Sequence, residues 1–190
     1  ILHGRPVFFK QERVGFNYQH FMLYKFRSMV INNCQNTITD ETDTRITLWG
    51  KVLRVMKLDE LPQVWNIVKG NMRFIGPRPE LQEFVTNNDF SFLTKIKPGL
   101  TDFSSILFRN ESKMLSYNGG VKKYPQLLTI KTTLGHLYTE HKSFWLDMEL
   151  IFLTLLSIIS PKIAISLVKK HYIKKYRPDL LPSIDKWIKY

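Results

Sequence analysis

The sequence is short of cysteine, of acid and of long apolar runs, and each shortage excludes something. Cys34 is the one cysteine among 190 residues, so there is neither an internal disulfide nor a cysteine-rich metal site, which fits a reducing compartment. The five histidines are scattered, and His136 and His141 miss the His-x-x-x-His spacing of a helical zinc pair. The apolar run from Ile151 to Ile159 meets Pro161 before it reaches the roughly 20 residues that cross a bilayer. Ile1 opens the chain with no basic-then-apolar leader and no cleavage site. Acids number 16 against 28 lysines and arginines, a formal charge of +12. That excess implies an anionic partner: phosphates, nucleic acid or an acidic membrane surface. No DNA- or RNA-binding motif accompanies it. Internal repeats and low-complexity tracts are missing as well.

What is present bounds the fold. At 44% hydrophobic the chain can bury one core, and nothing marks a second domain, so residues 1–190 are expected to form one unit. Pro6 to Val14 and Phe21 to Met29 are rich in aromatic and β-branched residues, with turn chemistry at Gly15 and Asn17 between them, which predicts a β-hairpin. Strand alternation places Leu23, Lys25 and Arg27 on one face. The polar stretch Ile31 to Arg45 has no period and reads as a surface loop. Helices are expected over Trp49 to Met56, Leu81 to Phe92 and beyond Tyr138, and a sharp turn over Lys97 to Thr101. The expected class is α+β, a mainly helical single domain with an N-terminal hairpin, associated with a membrane interface.

The densest chemistry lies between Leu58 and Glu80. Leu58, Leu61, Trp65 and Val68 recur at the spacing of one buried helical face, with Asp59, Gln63 and Asn66 on the opposite one. Pro62 fits only in the first turn, so Asp59 sits at the helix start and Gly70 at its end. Asp-Glu there is either a capping pair or an acid pair for chemistry. The stiff Gly76-Pro77-Arg78-Pro79 turn follows close behind, and acid, helix N-terminus and arginine together suit phosphate.

Asp59-Glu60-Leu61-Pro62-Gln63, Asn66, Lys69-Gly70, Met72 and Gly76-Pro77-Arg78-Pro79, in that order, resemble the core motif of the bacterial sugar transferases, the monotopic phosphoglycosyl transferases. Pro6 to Gly15 and Tyr24-Lys25-Phe26-Arg27-Ser28-Met29 resemble two further motifs. Thr44 to Thr47, Gly50 and Leu53-Arg54 continue the likeness, as do Lys97 to Thr101, Phe108-Arg109-Asn110-Glu111, and Tyr138 with Ser143 to Asp147. The likeness thins between Thr101 and Lys131, where sugar specificity is expected; Asp102 stands where many members have glycine.

The resemblance implies a transferase that moves a sugar 1-phosphate from a UDP-sugar donor to a polyprenyl phosphate acceptor, the initiating step of bacterial surface polysaccharide or glycoprotein glycan synthesis. It implies Asp59 as nucleophile, Glu60 as its partner in holding Mg²⁺, and Lys25, Arg27, Arg54 and Arg78 as phosphate ligands, with Arg109 a weaker one. Gln63 and Asn66 are expected to orient Asp59 or to touch the nucleotide, and Arg54 is equally a salt-bridge partner for the acid pair. It also implies the cytoplasmic face of the inner membrane and an apolar anchor upstream of Gly4. Lys169 to Arg177, basic and aromatic, suits anionic headgroups. The competing reading is a non-catalytic basic module that binds membrane or nucleic acid.

Overall fold

Pairing begins where the alternation predicts it. In the computed structural model, which describes residues 6–30, 38–39 and 42–188, β1 (Phe8–Val14) and β2 (His20–Phe26) run antiparallel in the register Phe8 to Phe26 and Val14 to His20. Asn17 and Tyr18, both at positive φ, reverse the chain between them, and Asn tolerates that conformation better than most residues. Cys34 and most of the polar stretch 31–45 lie outside the described residues.

The chain returns to the hairpin through a bridge between Met29 and Ile46 and enters α1 (Leu48–Val55). Thr47 Oγ1 caps it by accepting from Gly50 N at 2.9 Å, as N-cap threonines do. Gly50 is obligatory here: a Cβ would lie 1.9 Å from Ser28 O. The helix is thereby pressed against the end of the hairpin, close to Ser28.

A tight 3-10 turn over Leu58–Glu60 follows, and then α2 (Gln63–Val68), with Pro62 as its N-cap and Gly70 beyond it at φ +77°. Proline and glycine thus stand where they were expected, while Asp59 and Glu60 fall in the preceding turn. The burial of α2 is the reverse of the expectation. Leu61, Trp65 and Val68 are exposed, at 53%, 55% and 71%, whereas Asp59, Glu60, Gln63 and Asn66 are buried. Period fixes two faces without saying which points inward, and the polar face is the one with partners inside.

Two further expectations are corrected. Lys97 to Thr101 is not a turn: Gly99–Thr101 forms β4, parallel to β3 (Arg73–Ile75). The strands approach so closely that a Cβ on Gly99 would lie 2.2 Å from Gly76 N. Strand formation here depends on a partner remote in sequence, which a local reading of Pro-Gly misses. Leu81 to Phe92 is not one helix either. α3 spans Gln82–Thr86, and then Asn87 and Asn88 donate their amides to Glu83 O and Phe84 O while Asp89 accepts from Ser91 N. Side chains that bond local backbone compete with helix continuation.

The core is helical. α4 (Phe103–Leu107), capped by Asp102 through Ser105 N at 2.8 Å, is buried at Phe103, Ile106 and Leu107. α5 (Glu111–Tyr117) leads to α6 (Tyr124–His141) and α7 (Phe144–Ile159), and α8 (Pro161–Val168) starts at the proline that ends the apolar run. α6, α7 and α8 pack around α4. The C-terminal part, a π turn at Lys169–Ile173 followed by α9 (Lys174–Tyr176) and α10 (Leu181–Ile188), folds back on that core through Ile173, Ile184 and Trp187. Lys170, Lys174 and Lys175 stay exposed.

α7 is apolar on both sides. Leu146, Leu150 and Leu153 enter the core, whereas Trp145, Phe152, Leu155 and Ile159 face outward at 58% exposure or more. No described helix is long and apolar enough to cross a membrane.

Candidate functional site

The acid pair is held in place by its backbone. Lys57, at φ +58°, turns the chain out of α1 and into the 3-10 turn, where Glu60 N donates to Lys57 O at 3.3 Å. Glu60 is clasped by Arg78: NH1 donates to Oε2 at 2.9 Å and NH2 to Oε1 at 2.7 Å, with Lys25 Nζ 3.6 Å from Oε1. Such a fork is the strong form of the carboxylate pair. Arg78 NH1 also donates to Leu100 O at 3.2 Å, which ties it to β4.

The electrostatics separate the two acids. Burial opposes ionisation of Glu60, but Arg78, Lys25 and Lys57 outweigh it and hold its carboxyl well below the usual range. Burial and the neighbouring Glu60 charge push Asp59 up instead, against Lys25, Lys57 and Arg54. Burial also lowers Lys25, to about 8, against the pull of Glu60. Asp59 Oδ1 is buried without a hydrogen-bond partner, and so is Gln63 Nε2. A buried acceptor and a buried donor left unpaired on one face are costly unless something polar comes to meet them.

The other expected residues divide. Arg54 donates from Nε to Ser28 Oγ at 3.0 Å and from NH2 to Met29 Sδ at 3.0 Å, and forms no ion pair with Asp59 or Glu60 among the described residues. Its charge is therefore felt at Asp59 without being cancelled there. Asn66 directs its amide to the hairpin. Its Nδ2 donates to Met22 O at 2.7 Å and its Oδ1 accepts from Tyr24 N at 3.2 Å, so it fastens α2 to β2 as a strand would. Arg109 bridges Val55 O at 2.9 Å and Ser157 Oγ at 3.3 Å. It lies near enough for Glu60 to act on it. Arg27 follows the end of β2, where its N donates to Val7 O at 2.9 Å, and its side chain makes no hydrogen bond or ion pair among the described residues.

Sequence reasoning missed the support behind Arg78. Glu80 is buried and takes Lys131 Nζ and Tyr124 OH on Oε1, each at 2.9 Å, and Arg13 NH1 on Oε2 at 3.1 Å. Its carbonyl accepts from Val14 N and that of Pro79 from Arg13. The Arg78 segment is thus fixed from β1 on one side and α6 on the other. Glutamate directly after the Pro-Arg-Pro turn was the available signal. Lys57 was missed too, because a lysine after a short helix reads as an ordinary C-terminal cation. Tyr138 and Asp147 share a bond of 2.6 Å, and Arg73 lies 3.3 Å from Asp147, so these join α6, α7 and β3.

For a divalent metal, the donors on hand are two carboxylates, since no group of three or more His, Cys, Asp or Glu is poised for an ion among the described residues. The free Asp59 oxygen, beside a Glu60 that Arg78 already binds, fits a hard cation that takes most of its ligands from phosphate and water. A hollow of about 330 Å³ lies elsewhere, between β1 and α3, lined by Gln11, Arg13, His20 and Gln82.

Comparison with known proteins gives a consistent picture. The profile of the bacterial sugar transferase family matches residues 1–161. The chain is 34% identical over 169 residues to the UDP-glucose:undecaprenyl-phosphate glucose-1-phosphate transferase of Xanthomonas campestris pv. campestris, covering 84% of this chain and 33% of that protein. It is 33% identical over 162 residues to the UDP-N-acetylgalactosamine-undecaprenyl-phosphate N-acetylgalactosaminephosphotransferase of Aeromonas hydrophila, covering 82% and 36%. With the uncharacterized sugar transferase EpsL of Bacillus subtilis it shares 34% identity over 160 residues, 82% of this chain and 71% of the other. The chain therefore spans about a third of the length of the first two relatives.

Proposed function

The chain belongs to the bacterial sugar transferase family, and on that premise we propose that it transfers a sugar 1-phosphate from a UDP-sugar to undecaprenyl phosphate. Residues 1–190 act as the catalytic unit. An oxygen of Asp59 attacks the sugar-bearing phosphorus, the bond from that phosphorus to the UMP oxygen breaks, and UMP leaves. The sugar phosphate then rests on Asp59 as an acyl phosphate. An oxygen of the lipid phosphate attacks the same phosphorus, and the Asp59 carboxylate is released.

The observation that carries this reading is the unpartnered, buried Asp59 oxygen among more cations than anions. A carboxylate held out of water and raised in pKa is a better nucleophile than a solvated one. Glu60, kept ionised, holds Arg78 and Lys25 at fixed positions, so that charge building up on phosphoryl oxygens meets donors already in place. Arg54 adds an uncancelled charge, Gln63 offers its free N–H, and Arg27 and Arg109 are proposed at the margin of the phosphate path. Asp59 and Glu60 are the residues that would hold Mg²⁺, which would supply neutralisation of the diphosphate.

We further propose a seat on the cytoplasmic face of the membrane. The outward apolar faces of α2 and α7, among them Trp65, Val68, Trp145 and Phe152, are the kind of surface that beds at headgroup depth. Exposed Lys170, Lys174 and Lys175 would meet anionic lipid there, each worth about 1 kcal/mol. An acceptor phosphate could then be reached without extracting its chain.

The test is incubation with UDP-sugars and no lipid, followed by mass mapping. A phosphosugar adduct on Asp59, lost together with UMP release in Asp59→Asn, is the expected result. Glu60→Gln and metal chelation should both suppress release. An adduct on another residue, or UMP release by Asp59→Asn, overturns the role given to Asp59.

A further inference from the structure

We infer that Lys57 is a phosphate-binding residue of this site, a cation left open for the incoming substrate next to the acid pair. The inference rests on the proposed function and names a ligand group for it. Three non-glycine described residues have positive φ: Asn17 and Tyr18 in the hairpin turn, and Lys57. Glycine or asparagine would hold φ +58° more comfortably than lysine. A residue that occupies a disfavoured backbone region immediately before the acid pair points to a use for its side chain.

The partners of the other cations sharpen the point. Lys25 and Arg78 share Glu60. Arg54 is taken by Ser28 and Met29, and Arg109 by Val55 O and Ser157. Lys57 is half-buried and electrostatically coupled to Glu60, Arg78, Asp59 and Glu111. Yet among the described residues it has no ion pair within 4.0 Å and no side-chain hydrogen bond. Among the described residues its three N–H donors are unpaired, within electrostatic reach of Asp59. Lys25, Arg54, Lys57 and Arg78 outnumber Asp59 and Glu60, and Lys57 contributes one of the two surplus positive charges around the acid pair.

Lys57→Asn and Lys57→Gly suit the backbone and delete the ammonium; Lys57→Arg keeps a cation. Two arms separate the two phosphates: UMP release from a panel of UDP-sugars without lipid, and full turnover with undecaprenyl phosphate varied. The expected result is a rise in KM of about tenfold or more in one arm for Asn and Gly, at a melting temperature equal to or above that of the parent, with Lys57→Arg within about threefold. A rise in the first arm assigns Lys57 to the donor diphosphate, and a rise in the second alone assigns it to the lipid phosphate. Both KM values within twofold for Asn and Gly overturn the inference. Calorimetric binding of UMP and of inorganic pyrophosphate separates the two proposals. If the parent protein binds them but turns nothing over, the reaction is wrong, and binding weakened about tenfold in Lys57→Asn still supports Lys57, while unchanged binding of both sinks it.

Discussion

α2 and α6 are both helices with an apolar and a polar side, and they bury opposite ones. α6 turns Leu127, Leu134 and Leu137 into the core at 2% exposure or less. α2 turns Gln63 and Asn66 inward and leaves Val64, Trp65 and Val68 outside. The difference lies in what each helix meets. α6 faces α4, whose buried side is Phe103, Ile106 and Leu107, and apolar surface there is removed from water on both sides. α2 meets the β2 backbone, whose Met22 carbonyl and Tyr24 amide require polar partners, and Asn66 provides both. Apolar burial holds the helical core; hydrogen bonds and buried charge hold the candidate site against the hairpin.

The comparison can be broken or sharpened in four ways. The largest effect is expected from Leu134→Ala, which removes a fully buried side chain and should cost about 2–5 kcal/mol in urea unfolding. Val68→Ala on α2 should stay within about 0.5 kcal/mol. Equal losses would erase the distinction between the two helices.

Acid should act on the charged support and spare the apolar core. Burial opposes ionisation of Glu80, but Lys131 and Arg13 hold its pKa at about 2 against an ordinary 4.5. The carboxyl is depressed in the folded state, so its contribution is complete above pH 4.5 and vanishes as pH falls through about 2. The difference corresponds to about 3 kcal/mol. Urea midpoints measured from pH 7 down to 2.5 should therefore fall, and Glu80→Gln, already destabilised at pH 7, should show a flatter decline.

Asn66→Ala should cost about 1–3 kcal/mol, since it strands the Met22 carbonyl and Tyr24 amide. Asn66→Leu should not recover the loss, although leucine is the better helix former. Full recovery would mean that the polar inner face of α2 is incidental. The smallest effect on stability belongs to Trp65→Gln with Val68→Gln: about 0.5 kcal/mol or less in unfolding, accompanied by several-fold weaker sedimentation with anionic vesicles. Unchanged sedimentation would leave the outer face of α2 without the proposed membrane contact.

Much of the fold is legible locally. Alternation and the Gly15 to Gln19 turn yield the hairpin, and Pro161 marks the break between α7 and α8. Pro62 and Gly70 bracket α2. The Gly99–Thr101 strand was not legible, because its ladder depends on Arg73–Ile75. In the candidate site, motif order singled out Asp59, Glu60, Lys25 and Arg78, which do come together. The Glu80 support was hidden because Lys131 lies 51 positions away, and the setting of Lys57 because nothing local marks its positive φ.

By itself the sequence determined the spacing of side chains along each segment, hence the hairpin, the two faces of α2, the helix breaks and the acids beside a basic surplus. Only tertiary structure decided which face of α2 turned inward and which cations were spent on Glu60 or left open. The physical reason is that spacing is a property of one segment, whereas burial and ion pairing belong to the partners that distant segments bring.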